Sequence, residues 1–545
     1  MMTVRASNFA LGGMMLLLLF VGAVTMLQVN EDAVWYDEER TYQKVGGGRY
    51  QPLRAPSEIV GYTLRYNDSW PPLYNFAFAG WGILTGWSVF THRTMAWLFG
   101  LLSVAAAYRL GRSVSVAEGP RREWAGLLTA TLLGTTAFYV HYMHEMRGYT
   151  MGVFFAVMSL WLYWRLANGR GNGWQMLLFV LFNAGLLYTH YIVALLLAGM
   201  GVYHLTFGLR LRDQRWWIVL GLLTLSALSV LPWLSGLMTV VSGESRSSRG
   251  MATGTALLEM LRGYGNGLWV VLPLMLGAAV WRVRTRAAAY LWTVAGVFLV
   301  AAIVANTFLD YLLHIRHTMG IIPVLATLAA LAVADMLNSD GRLIRLAAAG
   351  LLGLWLIGGG WNMVDDRFMA SMEGAEYVMP RDTLDTILEL SENCIRADEK
   401  AVFYLTDDYP FEWVNDLPLL HYLWTDVPFE YALLRKLRHI PDTYILERGS
   451  RIRTEEPENY RERVRWYADD SERVWLFART SLPRDERVMA FETTLSETYS
   501  TCRRVQSQAG LEVYVWSQSE ALSCPALEEV SLEACAEPIV LMEGE

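Results

Sequence analysis

The stretch FALGGMMLLLLFVGAVTMLQV, residues 9–29, is followed five residues later by WYDEER, residues 35–40. An apolar run of this length is about what an α-helix needs to cross the hydrocarbon core of a bilayer. The acids behind it would then lie against the membrane surface, where a desolvated carboxylate is costly without a partner. The stretch therefore predicts a membrane anchor that holds carboxylates at the lipid boundary. The alternative is a solvated loop that begins with helix-favouring acids.

Apolar runs recur as far as about residue 364 and then stop, in a chain of 545 residues that is 54% hydrophobic. The candidate spans are 9–29, 91–111, 123–142, 148–166, 174–189, 191–209, 216–238, 264–281, 287–309, 316–335 and 343–363. A further apolar stretch, 71–87, opens with two prolines and is broken by three glycines. Residues 1–363 are therefore predicted to form an α-helical polytopic membrane domain with about eleven transmembrane helices plus an interfacial helix.

The arginines set the predicted orientation, because cytoplasmic loops of membrane proteins carry an excess of Lys and Arg. With eleven spans, all arginine clusters fall on the same side of the membrane as the N terminus. With a twelfth span at 71–87, the clusters after Arg5 would lie on the opposite side from Arg5. The clusters comprise Arg5, Arg109, Arg112, Arg121, Arg122, Arg165, Arg170, Arg210, Arg212, Arg215, Arg282, Arg284, Arg286, Arg342 and Arg345. This predicts a multi-pass protein of the cytoplasmic membrane with a cytoplasmic N terminus, a retained first span and an extracytoplasmic C-terminal domain.

The C-terminal domain, residues 364–545, differs sharply in charge from the rest. It has a net charge of −18, against +10 for residues 1–363, which argues against a nucleic-acid partner. Strand-like runs at 401–405, 443–446, 474–477 and 511–516 alternate with helical patterns, which predicts a soluble α/β domain with a mainly parallel sheet. The helical patterns lie near 381–393, 412–424, 428–438 and 457–468.

All four cysteines lie in this domain, at Cys394, Cys502, Cys524 and Cys535. An even number of cysteines confined to one domain predicts disulfides, provided that the domain faces an oxidising compartment. Three pairings are open, of which Cys524 with Cys535 is the most local.

The predicted topology gathers acids, arginines and histidines from separate loops on the outer face. The motifs, in chain order, are Asp37-Glu38, Trp70-Pro71-Pro72-Leu73-Tyr74, His92-Arg93, His144-Glu145-Met146-Arg147-Gly148-Tyr149, His190-Tyr191, and Arg316-His317 with Pro323. In order, spacing and common side these motifs resemble the GT-C membrane glycosyltransferases, in the branch of the protein O-mannosyltransferases and the lipid A aminoarabinose transferase. The resemblance covers about residues 1–364. Trp70 stands where many relatives have His, and His317 where many have Tyr.

The resemblance implies an enzyme, a glycosyltransferase that moves a sugar from a polyprenyl-phosphate donor to a lipid, glycan or protein acceptor outside the cytoplasmic membrane. Relatives usually invert the anomeric carbon, so one carboxylate can act as general base without a covalent intermediate. Asp37 matches the family's catalytic acid. Glu38 adjoins Asp37 and is a further catalytic candidate, since two neighbouring carboxylates raise one pKa, which suits a base or a metal ligand. Glu145 is the third catalytic candidate. The alternative for Glu38 is an ion pair with Arg40.

Arg147 and Arg316 are the predicted donor-phosphate ligands, because a guanidinium binds phosphate oxygens bidentately and stays charged near lipid. His317, His190, Tyr149 and Tyr74 are further candidates for the donor or its sugar. If residues 141–145 are helical, His141, His144 and Glu145 share one face. Asp37, His144 and Glu145 could then bind a divalent cation; the alternative is a hydrogen-bonded network without metal.

Three other functions remain open. A transporter or flippase of lipid-linked glycans would carry ionisable residues within its spans, whereas the span centres here are nearly free of charge. A ligase or polymerase of lipid-linked oligosaccharides shares the donor type and the outer site. A receptor has no need of acids and arginines gathered from many loops.

Overall fold

A computed structural model describes residues 2–29, 36–47, 52–65, 71–241, 251–308 and 314–364 of the membrane domain. Of the C-terminal domain it describes residues 400–404, 472–479, 486–506, 511–518 and 533–534, and the isolated positions 368–369, 372 and 465.

The membrane domain is built from α-helices and two short 3-10 helices. Up to the second loop of the site these are α1 (Met2–Gln28), α2 (Tyr36–Val45), α3 (Pro56–Arg65), α4 (Leu73–Thr85), α5 (Val89–Val114), α6 (Pro120–Gly134) and α7 (Ala137–His141). There follow α8 (Tyr149–Ala167), α9 (Gly173–Thr189), α10 (Leu195–Thr206), α11 (Gln214–Leu228), η1 (Leu231–Trp233), α12 (Leu234–Val241), α13 (Thr253–Tyr264), α14 (Val271–Arg282), α15 (Arg286–Phe308), η2 (Ile315–Ile321), α16 (Ile322–Leu337) and α17 (Arg342–Asn362).

Within the described residues, seven helical segments are long and apolar enough to cross a membrane. They are Phe9–Gln28, Val89–Val114, Tyr149–Ala167, Gln214–Met238, Arg286–Phe308, Ile315–Leu337 and Arg342–Asn362. Shorter apolar helices occupy Gly173–Thr189, Leu195–Thr206 and Val271–Arg282. The predicted interfacial segment forms α4, whose 13 residues are too short to span the hydrocarbon core. The predicted fold class, a polytopic helical membrane protein with a C-terminal α/β domain, is confirmed.

Helix α16 runs through the middle of the bundle. It forms the span Ile315–Leu337 together with η2, and 83% of the most apolar 18-residue stretch of that span is buried. It packs against α5, α6, α8, α14, α15 and α17. Its alanines at 326, 329, 330 and 332 are all buried. Small side chains let neighbouring helix backbones approach closely, which stabilises helix packing in a bilayer, where the hydrophobic effect does not drive helices together. Since η2 leads directly into α16, the residues of η2 are held at one end of a rigid central helix.

The described strands of the C-terminal domain form one sheet, in the order β1-β2-β4-β3-β5. They are β1 (Lys400–Tyr404), β2 (Arg473–Arg479), β3 (Thr501–Gln506), β4 (Leu511–Ser517) and β5 (Glu533–Ala534), with helix α18 (Glu486–Thr498) preceding β3. Only β1 and β2 pair in parallel among these strands; the other pairs are antiparallel. The prediction of a mainly parallel sheet is therefore wrong for the described part.

Strand β3 was not expected because Arg503 and Arg504 interrupt its apolar pattern, and it pairs with β4 across a short connection. Cys502, on this strand, is disulfide-bonded. The predicted strand at 443–446 and three of the four predicted helices, at 381–393, 412–424 and 428–438, lie outside the described residues, as does nearly all of the fourth, at 457–468.

Candidate active site

Glu38 lies on the short helix α2, just after the first span, and its side chain is fully buried. Arg93, near the start of α5, donates from Nε to Oε1 at 3.3 Å and from Nη2 to Oε2 at 2.9 Å. The backbone N–H of Met146 donates to Oε1 at 2.7 Å, while Arg93 Nη1 donates to the carbonyl of Val29 at 3.0 Å. Glu38 therefore joins α1, α2, α5 and the 142–148 loop, and its ionic partner is Arg93.

Asp37 is the residue before Glu38, in the first turn of α2. Its side chain lies outside the described part of the chain, as do residue 35 and the whole of residue 70. The backbone therefore places Asp37 beside the Glu38–Arg93 pair without assigning its contacts.

The 142–148 loop brings three of the predicted residues together. Helix α7 ends at His141, and tight turns follow, with the N–H of His144 donating to the carbonyl of His141 at 3.2 Å and that of Arg147 to Glu145 at 2.7 Å. The condition of a helix over 141–145 is therefore not met, although His141 Nε2 still lies 3.0 Å from Glu145 Oε1. The turns point the polar chains inward: His144, Glu145 and Arg147 are all at most 5% exposed.

Glu145 is the most unusual acid of the site. Burial raises the pKa of its carboxyl to about 7, with His141 opposing the rise, Glu38 adding to it and Arg316 opposing it. Its Oε2 has no hydrogen-bond partner among the described residues. A buried carboxyl that titrates near neutrality and keeps one oxygen unengaged can accept a proton from a substrate at physiological pH.

Two buried arginines from different elements belong to the same cluster as this acid: Arg316 acts on Glu145 itself, and Arg147 acts with Glu145 on Tyr74. Arg147 is 3% exposed and donates from Nη1 to Thr41 Oγ1 at 3.3 Å; Arg316 sits in η2 and is 6% exposed. Arg316 lowers the pKa of Glu145, and both arginines lower the pKa of His190. Glu145, His190 and the two arginines are therefore close enough to interact electrostatically. Two largely desolvated guanidiniums near an acid with one unengaged oxygen form a site for an anion.

His190, His317 and Tyr149 lie together in the same cluster as the two arginines. The His317 ring lies 4.9 Å from that of His190 and 6.4 Å from that of Tyr149, measured between centroids. Burial, followed by His317 and the two arginines, holds the pKa of His190 well below its usual value. His190 is therefore an uncharged hydrogen-bonding group.

Tyr74, on α4, is 3% exposed, and its hydroxyl has no partner among the described residues. Burial raises the pKa of Tyr74 well above its usual value, with Arg147 opposing and Glu38 and Glu145 adding to the rise. Tyr74 therefore belongs to the same cluster as the arginines and acids and is a hydrogen-bond donor there.

Two buried polar residues hold the site's elements in place, and sequence reasoning did not find them. Tyr264, at the end of α13, donates to the carbonyl of Ile315 at 2.8 Å, which fixes the start of η2. Asn266 accepts from the N–H of Ala137 at 2.8 Å and donates to the carbonyls of Thr135 at 2.9 Å and Trp355 at 3.1 Å. It thereby caps α7 at the point where α6 breaks.

Asn266 takes a φ of +56°, a region that Asn tolerates better than most residues. The sequence signal that could have found it is the run YGNG, residues 264–267, between two helices. The sequence marks Arg93 as part of the His92-Arg93 motif but does not show its pair with Glu38, because the two residues are 55 positions apart.

Two of the three residues predicted as metal ligands, His144 and Glu145, have described side chains. Among the residues that the structure describes, no three acidic, histidine or cysteine side chains are grouped as metal ligands. His144 is suited to coordination, since burial, then His141 and Arg93, holds its pKa well below the usual value. The predicted set of Asp37, His144 and Glu145 includes one side chain outside the described part.

Comparison with known proteins gives similarity in structure only. No protein-family model matches the sequence, and no curated protein sequence does. The solved structure of ArnT from Cupriavidus metallidurans is similar over 95% of this chain and 99% of that one, with 13% identity and a TM-score of 0.49.

Two larger proteins are also similar. The oligosaccharyltransferase of Archaeoglobus fulgidus, solved with a tethered acceptor peptide, matches 94% of this chain and 74% of that one at 10% identity and a TM-score of 0.43. The arabinofuranosyltransferase AftD from Mycobacteria matches 92% of this chain and 41% of that one at 13% identity and a TM-score of 0.44. With such identities and TM-scores, the residues of the site carry the functional argument.

Proposed function

We propose that this chain is an inverting glycosyltransferase that moves a sugar from a polyprenyl-phosphate donor to an acceptor hydroxyl at the outer face of the cytoplasmic membrane. The observation that carries the proposal is one buried cluster at the ends of several spans. It combines an acid with an unengaged oxygen, Glu145, and two arginines, Arg147 and Arg316, that interact with the same surroundings.

The arginines suit the charge that the reaction develops. When the bond between the anomeric carbon and the phosphate oxygen breaks, its electron pair stays on the leaving polyprenyl phosphate, which gains one negative charge. Arg147 and Arg316 would stabilise that charge most as the bond breaks, because buried cations act through a low dielectric. The uncharged His190, with His317, Tyr149 and Tyr74, would hydrogen-bond the phosphate or the sugar.

The proton of the attacking acceptor hydroxyl needs a carboxylate. Asp37 is the proposed general base, from its place in the first turn of α2 and the family resemblance. Glu145 is the second acid within the cluster, and its raised pKa suits proton transfer near neutral pH. Glu38 has both oxygens bonded to Arg93, so we assign it to positioning of α2 and the 142–148 loop.

A single displacement at the anomeric carbon inverts its configuration. If a divalent cation binds here, the unengaged oxygen of Glu145 and the neutral His144 fit it as ligands, with Asp37 as the third. Such a cation would neutralise charge on the leaving phosphate. The proposed steps by the protein's own residues are the same with or without it.

The test is release of carrier phosphate by the purified full chain in nanodiscs, supplied with a panel of polyprenyl-phosphate sugars and a crude envelope acceptor. We expect Asp37→Asn to lower release by about a hundredfold or more, as loss of a general base does. Glu118→Gln is the matched control, because Glu118 is exposed in the loop that joins α5 to α6, at the opposite end of the bundle from the site.

Loss in Glu145→Gln together with full activity of Asp37→Asn would move the base to Glu145. Donor binding without release by the parent chain, for every donor in the panel, would contradict the proposal and favour a transporter or a ligase of lipid-linked glycans.

A further inference from the structure

A second polar cavity lies at the other end of the bundle from the candidate active site. Helix α8 begins at Tyr149, in the site, and runs for 19 residues to Ala167, a rise of about 28 Å. Trp164 and Ala167 line a cavity of about 40 Å³ between the ends of α8, α10, α11 and α15. A water needs about 10–15 Å³ by the same measure, so the cavity holds a few waters or a single phosphate-sized group.

Three arginines from three elements line this cavity. Arg210 follows α10, Arg215 is in the first turn of α11, and Arg286 is the first residue of α15. Within the described part of the chain, no carboxylate lies at ion-pair distance from any of the three. The acid in the cavity lining, Asp213, accepts from the backbone N–H of Arg215 at 3.0 Å as the N-cap of α11.

The floor of the cavity is a buried network that is fully built. His204 is 1% exposed, its ring stacks on that of Trp216 at 5.0 Å, and its Nε2 lies 3.0 Å from the carbonyl of Trp216. Tyr163 Oη lies 3.1 Å from His204 Nδ1, and Tyr203 donates to the carbonyl of Arg286 at 3.3 Å. These bonds tie α8, α10, α11 and α15 together, so the arginine backbones are held at fixed separations.

The surroundings of the cavity are apolar and exposed. Phe207, Leu209, Leu211 and Trp217 alternate with the arginines along the chain and are each more than half exposed. In a membrane-crossing bundle, exposed apolar side chains of this kind would contact lipid, which would put the opening of the cavity where acyl chains give way to headgroups. A soluble anion has no apolar part that could contact these exposed side chains, whereas a lipid has.

From the cavity, its arginines and its lipid-facing border, we propose that this cavity binds the phosphate of an anionic phospholipid headgroup, from the leaflet opposite the active site. Guanidiniums bind phosphate oxygens through paired charge-assisted bonds, and membrane leaflets rich in anionic lipid attract basic protein surfaces. The lipid would join the ends of α8, α10, α11 and α15, which also carry Tyr149 and the 189–195 connection at their other ends.

The chain supplies its own control for surface charge. Arg212 and Arg284 are exposed, as Arg210 and Arg286 are, but they do not line the cavity. The double variants Arg210→Gln/Arg286→Gln and Arg212→Gln/Arg284→Gln remove the same charge from the same end of the bundle. A loss that is specific to the first pair therefore reports the cavity and not the net charge.

The experiment is native mass spectrometry of the purified full chain in detergent, titrated with phosphatidylglycerol and, for comparison, with phosphatidylcholine. We expect Arg210→Gln/Arg286→Gln to weaken phosphatidylglycerol binding by about tenfold or more, because bonds to charged groups are lost. Arg212→Gln/Arg284→Gln should stay within about twofold of the parent, because neither arginine lines the cavity and isolated exposed charges contribute little. Phosphatidylcholine binding should be unchanged in both.

A replacement variant and a competition with inorganic phosphate complete the experiment. If Arg210→Gln/Arg286→Gln fails to fold, Arg210→Lys/Arg286→Lys takes its place, because Lys keeps the charge and loses the paired bonds. Equal loss in both double variants, or none in either, overturns the cavity assignment. Full displacement of phosphatidylglycerol by millimolar inorganic phosphate overturns the lipid assignment and makes this a site for a soluble phosphate compound.

Discussion

At the scale of single residues, the site contrasts two buried acids. Glu38 has both oxygens satisfied by Arg93 and by the N–H of Met146, whereas Glu145 has one oxygen bonded to His141 and one without a partner in the described chain. Burial therefore costs Glu145 free energy whenever it is ionised. The first acid holds elements together, and the second is suited to exchange a proton.

The raised pKa of Glu145 predicts how stability varies with pH. The folded pKa is about 7, against an ordinary value of 4.5. Since the folded pKa exceeds the unfolded one, this group's stabilisation is fully present below about pH 4.5 and is lost as pH rises through about 7. The full change is on the order of 3 kcal/mol.

We therefore expect Glu145→Gln to unfold at a temperature that changes less between pH 5 and pH 8 than that of the parent chain, measured in detergent by intrinsic fluorescence. Glu118→Gln should keep the parent's pH dependence. An identical pH dependence in the parent chain and Glu145→Gln would refute the raised pKa.

At the scale of elements, Asn266 shows how a loop positions a helix. Its side chain bonds the end of α6, the start of α7 and the middle of α17, and its backbone carbonyl accepts from Asn362 Nδ2 at 2.8 Å. Helix α7 has only five residues, too few to be stable alone. The 142–148 loop therefore depends on this cap for its place beside α2.

Substitution at Asn266 separates the hydrogen bonds from the backbone conformation. Asn266→Gly keeps access to positive φ and loses three side-chain bonds, which lowers the free energy of unfolding by about 3 kcal/mol at about 1 kcal/mol each. Asn266→Ala should cost about 1–2 kcal/mol more, because Ala is strained at this φ. Thermal unfolding of both variants measures this; equal stability of Ala and Gly variants would contradict a strained position.

At the scale of the whole molecule, the orientation in the membrane is a prediction from arginine distribution. In intact cells, a membrane-impermeant maleimide should label Ser57→Cys, in the exposed first turn of α3 on the site's side. Glu118→Cys should be labelled only after permeabilisation, because it lies among the arginines of the opposite face. The parent chain gives the background, and the reverse pattern would invert the proposed topology.

Much of the membrane domain could be predicted from sequence, because bilayer thickness imposes long apolar runs that are visible locally. The same runs place Glu145, Arg147, His190 and Arg316 on one face, and the structure brings them into one cluster. The Glu38–Arg93 pair, the Asn266 cap and the antiparallel pairs of the sheet depend on contacts between distant segments, which no local pattern encodes.

The pair between Glu38 and Arg93 also bears on how the protein is made. A ribosome delivers Glu38 55 residues before Arg93, and the third partner, the N–H of Met146, 108 residues after Glu38. Until α5 has been synthesised, Glu38 lacks the countercharge of Arg93, and until synthesis passes residue 146 the anchor helix cannot be joined to the second loop. The junction at Glu38 is therefore completed only after residue 146 has been synthesised, and the candidate cluster is completed only once Arg316 follows.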